Sequence, residues 1–103
     1  MPEFITAARS EDVKEGEVLA VLVDETPVGL ARSGGRVYAF HDVCTHDDGP
    51  LAEGSLDGGE IVCPRHGARF NLLSGKPSFP APAPLPLYEA VEENGEIKVK
   101  LRD

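Results

Sequence analysis

Two pairs of potential metal ligands stand out in this sequence of 103 residues. Cys44 precedes His46 by two positions, Cys63 precedes His66 by three, and sixteen residues separate the two pairs. Thiolate sulfur and imidazole nitrogen are donors that transition metals favour in proteins. The spacing lets two loops each present one sulfur and one nitrogen to a shared centre. One tetrahedral ion would suit these donors, and so would two metals, one bound by both thiolates and the other by both imidazoles.

The composition narrows the functions that such a centre could serve. Eighteen acidic and ten basic residues give a net charge of −8, which repels nucleic acid and anionic lipid. The N-terminus has no basic segment followed by an apolar one, and no run approaches the roughly 18 apolar residues of a membrane helix. We therefore expect a cytoplasmic protein with no nucleic-acid or membrane partner. In a reducing compartment, paired Cys and His indicate a metal site or catalysis more often than a disulfide.

The elements that must position these residues are predicted to be strands. Short runs rich in Val, Ile and Tyr recur along the chain, and turn signals such as Gly34–Gly35 and Asn94–Gly95 separate them, so neighbouring strands should be antiparallel. The only helical signal, from Ser10 to Glu15, predicts one or two turns at most. The predicted strands are FIT from residue 4, VLAVLV from 18, PVGLA from 27, RVYAF from 36, EIV from 60, LYEAV from 87 and EIKVKL from 96.

The candidate ligands all fall in a long segment that is poor in predicted strands. Residues 41–86 form this segment, whereas residues 1–40 and 87–103 supply most of the strands. An irregular stretch of this length in a small domain is either functional or disordered. The sequence therefore predicts one all-β domain over residues 1–103, an antiparallel β-sandwich with an inserted ligand-bearing subdomain at 41–86.

The motif also carries a resemblance to a known family. The sequence C-T-H, sixteen residues, C-P-R-H-G, then SGKP and a proline-rich stretch resembles the Rieske [2Fe–2S] proteins over residues 36–88. The resemblance implies one [2Fe–2S] cluster, with Cys44 and Cys63 on one iron and His46 and His66 on the other. It further implies that Nδ1 of each histidine binds iron and that Nε2 faces solvent, where electrons would leave.

Four positions depart from the high-potential, quinol-oxidising branch of that family. That branch has a hydroxyl residue and a Tyr where this chain has Ala68 and Phe70, so two hydrogen bonds to the cluster sulfurs are absent. We predict a potential near the low end of the roughly −150 to +300 mV range of Rieske centres. The same branch joins its two loops by a disulfide, at positions that are Gly49 and Arg65 here.

The remaining pattern resembles the soluble Rieske ferredoxins, which pass electrons from a flavin-dependent reductase to a terminal oxygenase. This resemblance implies a monomeric electron carrier rather than an enzyme, with a reductase and an oxygenase as partners. An oxygenase catalytic subunit would need a second iron site with two further histidines and a carboxylate. Only His41 is left, and we expect it to have a structural role.

Other functions are compatible with the four residues. A nitrite reductase small subunit would share the fold, although such subunits often lack the ligands, and an accessory protein of iron–sulfur assembly would differ only in its partner. A structural zinc ion would make the chain an interaction module, but zinc sites usually pair Cys with Cys at short spacing. The remaining alternative is that two buried cysteines and two surface histidines bind no metal.

Three neighbouring features are expected to serve the centre. The proline-rich segment 74–86 should form a stiff loop over one flank of the cluster. Gly49 should allow close approach of the backbone, and Leu51 should shield the cluster from water. The run 47–62 is acidic and the run 63–76 is basic, and we expect the acidic flank to steer a basic docking face of a partner.

Overall fold

The chain folds as an all-β protein, as the sequence predicts. The computed structural model describes residues 4–45, 49–65, 67–78, 81 and 83–101. Within these ranges, no helix is long and apolar enough to cross a membrane. The same ranges contain one 3-10 turn, Ser10–Asp12, within the segment predicted to form one or two helical turns. The strands are β1 (Phe4–Arg9), β2 (Val18–Val23), β3 (Thr26–Ser33), β4 (Arg36–His41), β5 (Ser55–Asp57), β6 (Glu60–Val62), β7 (Arg69–Asn71), β8 (Leu87–Glu93) and β9 (Glu96–Lys100).

Six strands from the two ends of the chain form the larger sheet. Its order is β1-β9-β8-β4-β3-β2, and every pair is antiparallel. The edge strands β1 and β2 also contact each other, so the sheet curls around its own core. That core consists of buried aliphatic residues from the sheet and from the segment after β1: Val13, Val23, Val28, Leu30, Ala39, Ile97 and Val99.

Tight two-residue turns set the register of the hairpins. Both Asn94 and Gly95 have positive φ, 53° and 75°, as a type I′ turn between β8 and β9 requires. The turn at Asp24 and Glu25 has the same backbone signs without any glycine. These turns place Ile97 and Val99 on the buried face of β9, in agreement with the predicted alternation.

A second sheet lies between β4 and β8 in the chain, inside the predicted insertion. It has three antiparallel strands in the order β5-β6-β7. The sequence predicts β6, where EIV has two β-branched residues, but not β5 or β7, because SLD and RFN each have a single apolar residue between polar ones. A buried cluster from this sheet, its loops and the base sheet joins the two parts of the fold: Ala31, Phe40, Cys44, Leu51, Ile61, Cys63, Ala68, Phe70, Leu72 and Leu85.

Arg32 on β3 ties the base sheet to the segment after β1. Its Nε donates a 2.7 Å hydrogen bond to the Val13 carbonyl, and its Nη2 donates a 3.2 Å bond to the Ser10 carbonyl. The terminal nitrogens also donate to both carboxylate oxygens of Glu92 on β8, at 3.0 and 2.7 Å. These bonds to Arg32 lower the pKa of Glu92 from its ordinary value of 4.5 to about 2.

Glu92→Gln is expected to lower the melting temperature at pH 7 by roughly 5 °C, which corresponds to about 1 kcal/mol for a partly exposed ion pair. Because the folded-state pKa of Glu92 is depressed, its carboxylate stabilises the fold above pH 4.5, and this contribution disappears as the pH falls towards about 2. Calorimetry should show the difference between variant and wild type shrinking over that range. Glu93→Gln is the control, since the Glu93 side chain is 56% exposed in its pair with Lys98. An equal loss in that control would contradict a specific role for Glu92.

Candidate metal centre

Both cysteines lie in the interior, in the same apolar cluster. Cys44 is 0% exposed and Cys63 is 1% exposed, and both are thiols rather than disulfide partners. Cys44 follows β4 after two residues, and Cys63 follows β6 directly. The two sheets therefore position one sulfur each and bring both into the region where they meet.

Each cysteine begins a short loop that its own amide closes. The Cys44 N–H donates a 2.8 Å hydrogen bond to the Gly49 carbonyl, and the Cys63 N–H donates a 2.7 Å bond to the Ala68 carbonyl. Both bonds span five residues, so the loops are equivalent. His46 falls within the first loop in sequence and His66 within the second, but both histidines lie outside the described residues. The structure thus brings Cys44 and Cys63 together and leaves the two histidines as predictions.

A buried aspartate that no sequence pattern predicts supports the first loop. Asp42 is 7% exposed and is the one buried charged residue that the described ranges contain. Its Oδ1 accepts a 2.7 Å hydrogen bond from the Ala52 N–H, and its own N–H donates to the Pro27 carbonyl at 3.0 Å. Asp42 therefore joins the two ends of the segment 42–52, which contains the Cys44 loop. An aspartate at a strand end is typical of a surface turn, so no sequence signal marked it.

The surroundings of Cys44 and Cys63 are suitable for an iron–sulfur cluster bound through these two sulfurs. An ionised thiolate is costly to bury unless it has a positive partner, and two buried cysteines at the starts of two equivalent loops supply thiolate ligands in a water-poor environment. A [2Fe–2S] cluster in such a site would supply reversible one-electron chemistry. The protein would contribute the ligands, the exclusion of water and the backbone groups around them.

The apolar surroundings of the cysteines contain the residues predicted to shield them. Leu51, Ala68 and Phe70 are each 0% exposed and belong to the same cluster as Cys44 and Cys63. Leu51 is therefore buried as expected. Because Ala68 and Phe70 carry no hydroxyl group, neither side chain can donate a hydrogen bond to a cysteine or cluster sulfur.

The proline-rich segment lies against the first loop. The Thr45 hydroxyl donates a 2.8 Å hydrogen bond to the Ala83 carbonyl, and Leu85 is buried in the cysteine-containing cluster. Leu85 is held in turn by its N–H, which donates to the Gly75 carbonyl at 2.9 Å. A side chain at Gly75 would lie 2.5 Å from the Leu85 carbonyl oxygen, so this approach requires glycine. The described part of the segment covers one flank of the Cys44 loop.

The acidic and basic runs of this region pair with each other. Arg69 on β7 donates a 2.8 Å hydrogen bond to Glu60 and another to Asp57, and these bonds raise the pKa of Arg69. Arg65 lies 4.0 Å from Glu53. The acidic flank predicted to steer a partner is therefore partly neutralised by its own neighbours, while Asp47 and Asp48 lie outside the described residues.

His41 has a structural role in the base sheet. Its Nδ1 lies 3.1 Å from the Tyr88 hydroxyl, and its backbone N–H donates a 2.9 Å bond to the Pro86 carbonyl. Burial raises the pKa of Tyr88, so the phenol stays protonated. His41 thus helps to hold the start of β8 beside β4.

Two buried cysteines in paired loops on an antiparallel β domain suit an iron–sulfur cluster site. The Rieske [2Fe–2S] domain family matches residues 3–89, and the chain belongs to this family. The chain accordingly carries a single [2Fe–2S] cluster, and this family match favours iron over the structural zinc alternative. Ferredoxin components of dioxygenase systems, matched over 92% of their length at 37% and 40% identity, identify the chain more narrowly as a Rieske ferredoxin, a one-electron carrier rather than an enzyme.

Its relatives are ferredoxin components of dioxygenase systems. The chain is 37% identical to the ferredoxin CarAc of Metapseudomonas resinovorans over 93% of its own length and 92% of the relative's. It is 40% identical to the 3-phenylpropionate/cinnamic acid dioxygenase ferredoxin subunit of Escherichia coli K12, over 94% and 92% of the two chains. A ferredoxin-sized chain solved in a complex of reduced oxygenase and oxidised ferredoxin in carbazole 1,9a-dioxygenase superimposes with a TM-score of 0.86, at 35% identity over 97% of both chains.

Proposed function

We propose that this ferredoxin takes single electrons from a flavin-dependent reductase and delivers them to the terminal oxygenase of an aromatic-ring dioxygenase system. The observation that carries the proposal is the near full-length likeness to the chain from the carbazole 1,9a-dioxygenase complex. A ferredoxin and its oxygenase meet in that complex, so the same fold is compatible with docking to an oxygenase. The reductase is inferred because a carrier needs a source of electrons.

We further propose that Cys44 and Cys63 bind one iron and that His46 and His66 bind the other. The shared burial of the two cysteines and the equivalence of their closed loops support this ligand set. Two neutral imidazoles in place of two thiolates remove negative charge from the cluster and make its reduction easier than that of a four-cysteine cluster. Residues 41–86 would form the cluster-binding subdomain, and residues 1–40 and 87–103 would form the base.

The protein is proposed to act as a cytoplasmic monomer. Cysteine thiols that serve as ligands suit a reducing compartment. A carrier also has to present one cluster-bearing end to two partners in turn, and a monomer leaves that end accessible.

Anaerobic stopped-flow mixing tests the oxygenase proposal. The dithionite-reduced protein should be reoxidised by the oxidised oxygenase components of the carbazole or 3-phenylpropionate systems, because the cluster would pass its electron to the oxygenase's own centre. The visible absorption of the oxidised ferredoxin should return as this happens. Buffer without oxygenase is the control. A protein that stays reduced with both oxygenases, while each accepts electrons from its own ferredoxin, would contradict the proposed function.

The rate of this reaction is expected to fall about tenfold as NaCl rises from roughly 20 to 500 mM, because a net charge of −8 steers the carrier towards a basic docking face. Arg69→Gln should deepen the salt dependence, since it frees Asp57 and Glu60 from their internal partner. Lys100→Gln is the control, a similar loss of charge on β9, far along the chain from the cysteine loops. A rate that does not change with salt would refute steering while leaving the cluster untouched.

A further inference from the structure

Arg65 crosses from one cysteine loop to the other. It lies between Cys63 and His66 in sequence, and its guanidinium packs directly on Gly49 of the first loop. A Cβ atom at Gly49 would lie 2.5 Å from Cζ of Arg65 and 2.7 Å from Nε and Nη2. No side chain other than hydrogen fits beneath the guanidinium in this position.

A hydrogen bond extends this contact along the first loop. Nη1 of Arg65 donates to the Pro50 carbonyl at 3.2 Å. Glu53 lies 4.0 Å from the same nitrogen, but its side chain is 69% exposed, so this ion pair adds little. The Arg65 side chain itself is 30% exposed. The contact with Gly49 and Pro50 therefore links Arg65 to the opposite loop.

The contact matters because the single cysteine of each loop is a proposed iron ligand, so no disulfide is left to join the two loops of the cluster-loaded protein. A planar guanidinium that packs on a glycine and bonds to the next carbonyl forms a more rigid connection than a lysine ammonium could. Its charge is also permanent. A fixed positive charge next to a redox centre stabilises the reduced form, which carries one more negative charge.

We propose that Arg65 is a positioning residue that clasps the two loops across Gly49 and Pro50, retains the cluster and raises its reduction potential. This inference deepens the proposed ligand set and rests on it. Two measurable properties distinguish the effect of the packing contact from the effect of the charge. Cluster retention depends on the packing against Gly49, whereas the potential depends on the positive charge.

A double-mutant cycle on the cluster-loaded protein tests the clasp. Arg65→Leu is expected to speed the loss of visible cluster absorption in excess iron chelator about tenfold. Gly49→Ala should speed it severalfold, because the new methyl group displaces the guanidinium. Gly49 does not have a positive φ, so alanine there strains no backbone. The combined variant should lose its cluster no faster than Arg65→Leu alone, since both changes remove the same contact.

Redox titration tests the charge. Arg65→Leu should lower the equilibrium constant for reduction about threefold to tenfold, where tenfold corresponds to about 59 mV. Arg65→Lys should recover the potential but not the cluster retention, and Gly49→Ala should leave the potential closer to the wild-type value. Lys76→Leu removes an exposed cation outside the two loops and is the control for overall charge.

Thermal unfolding of each variant checks that its base sheet is intact. Wild-type retention in Arg65→Leu, or additive effects of Arg65→Leu and Gly49→Ala, would overturn the clasp. An unchanged potential in Arg65→Leu would overturn the role of the charge. Either result leaves the ligand set standing, because that set fails only if substitution of a proposed ligand spares the cluster.

Discussion

Cys44→Ser or Cys63→Ser is expected to leave the purified protein without a [2Fe–2S] cluster, and therefore without colour. Both sulfurs are buried in one apolar core at the starts of equivalent loops, the positions from which each is proposed to bind iron. Serine is a poor ligand for iron at neutral pH because its hydroxyl stays protonated. Cluster binding is coupled to folding, so both variants should also melt well below the wild type. Iron and acid-labile sulfide analysis, visible absorption and EPR of the reduced protein measure the loss.

The three histidines provide matched variants for the other half of the proposed site. His46→Ala and His66→Ala should lose the cluster or its Rieske EPR signal, whereas His41→Gln should keep both. His41 bonds to Tyr88 through Nδ1, so its replacement is expected to cost stability only. A normal cluster in Cys44→Ser or in His66→Ala would remove that residue from the ligand set. Loss of the cluster in His41→Gln, with an intact fold, would mean that the set is incomplete.

Long, regular features of the sequence predict the base of this fold well. β9 alternates buried and partly exposed residues, and Asn94–Gly95 supplies a turn that few other dipeptides allow. These signals are local, since they depend on residues close together in the chain. β5 and β7 carry a weaker signal because each has only one apolar residue, and both strands are stabilised by pairing with β6. Their pairing is a property of the assembled sheet.

The ligand motif is equally local, whereas the support around it is not. Cys44 and Cys63 could be proposed from spacing alone, and the structure buries both. The Arg65 contact with Gly49 spans sixteen residues and depends on how the two loops meet. The role of Asp42 likewise depends on the folded structure, because its carboxylate accepts a hydrogen bond from the Ala52 N–H, ten residues further along the chain. Sequence patterns identify donors of a metal centre more readily than the residues that hold those donors in place.

A carrier that serves an oxygenase has to keep its cluster reducible by a flavin and able to pass the electron on. The side chains around the cysteines bear on this balance. Phe70 and Ala68 withhold hydrogen bonds that would stabilise the reduced cluster, while the proposed charge of Arg65 acts in the opposite direction. The low potential that we predict is thus the net result of missing donors and one nearby cation.

Ala68→Ser combined with Phe70→Tyr is expected to raise the reduction potential by roughly 100 mV. A hydrogen bond to a charged acceptor is worth about 1.5–3 kcal/mol, part of which favours the reduced state, and 1.4 kcal/mol corresponds to about 59 mV for one electron. Both residues are 0% exposed in the cluster that contains the cysteines, so the new hydroxyls would enter a dry environment. Redox titration should give a reduction potential of about −150 mV for the wild type, at the low end of the Rieske range, and a clearly higher potential for the double variant.

Ala39→Ser controls for the hydroxyl itself, because Ala39 is equally buried but belongs to the other core cluster. It should lower the melting temperature without moving the potential. Ala68→Ser and Phe70→Tyr made separately should each produce part of the rise in potential. A new hydroxyl that finds no hydrogen-bond acceptor should instead lower the free energy of unfolding by about 1–3 kcal/mol. A wild-type potential near +300 mV, or a double variant with an intact cluster and an unchanged potential, would show that hydrogen bonds at positions 68 and 70 do not tune this centre. A reduction potential that rises in the variant with Ala68→Ser and Phe70→Tyr, but not in Ala39→Ser, would show that the low potential is due to the absence of those two donors.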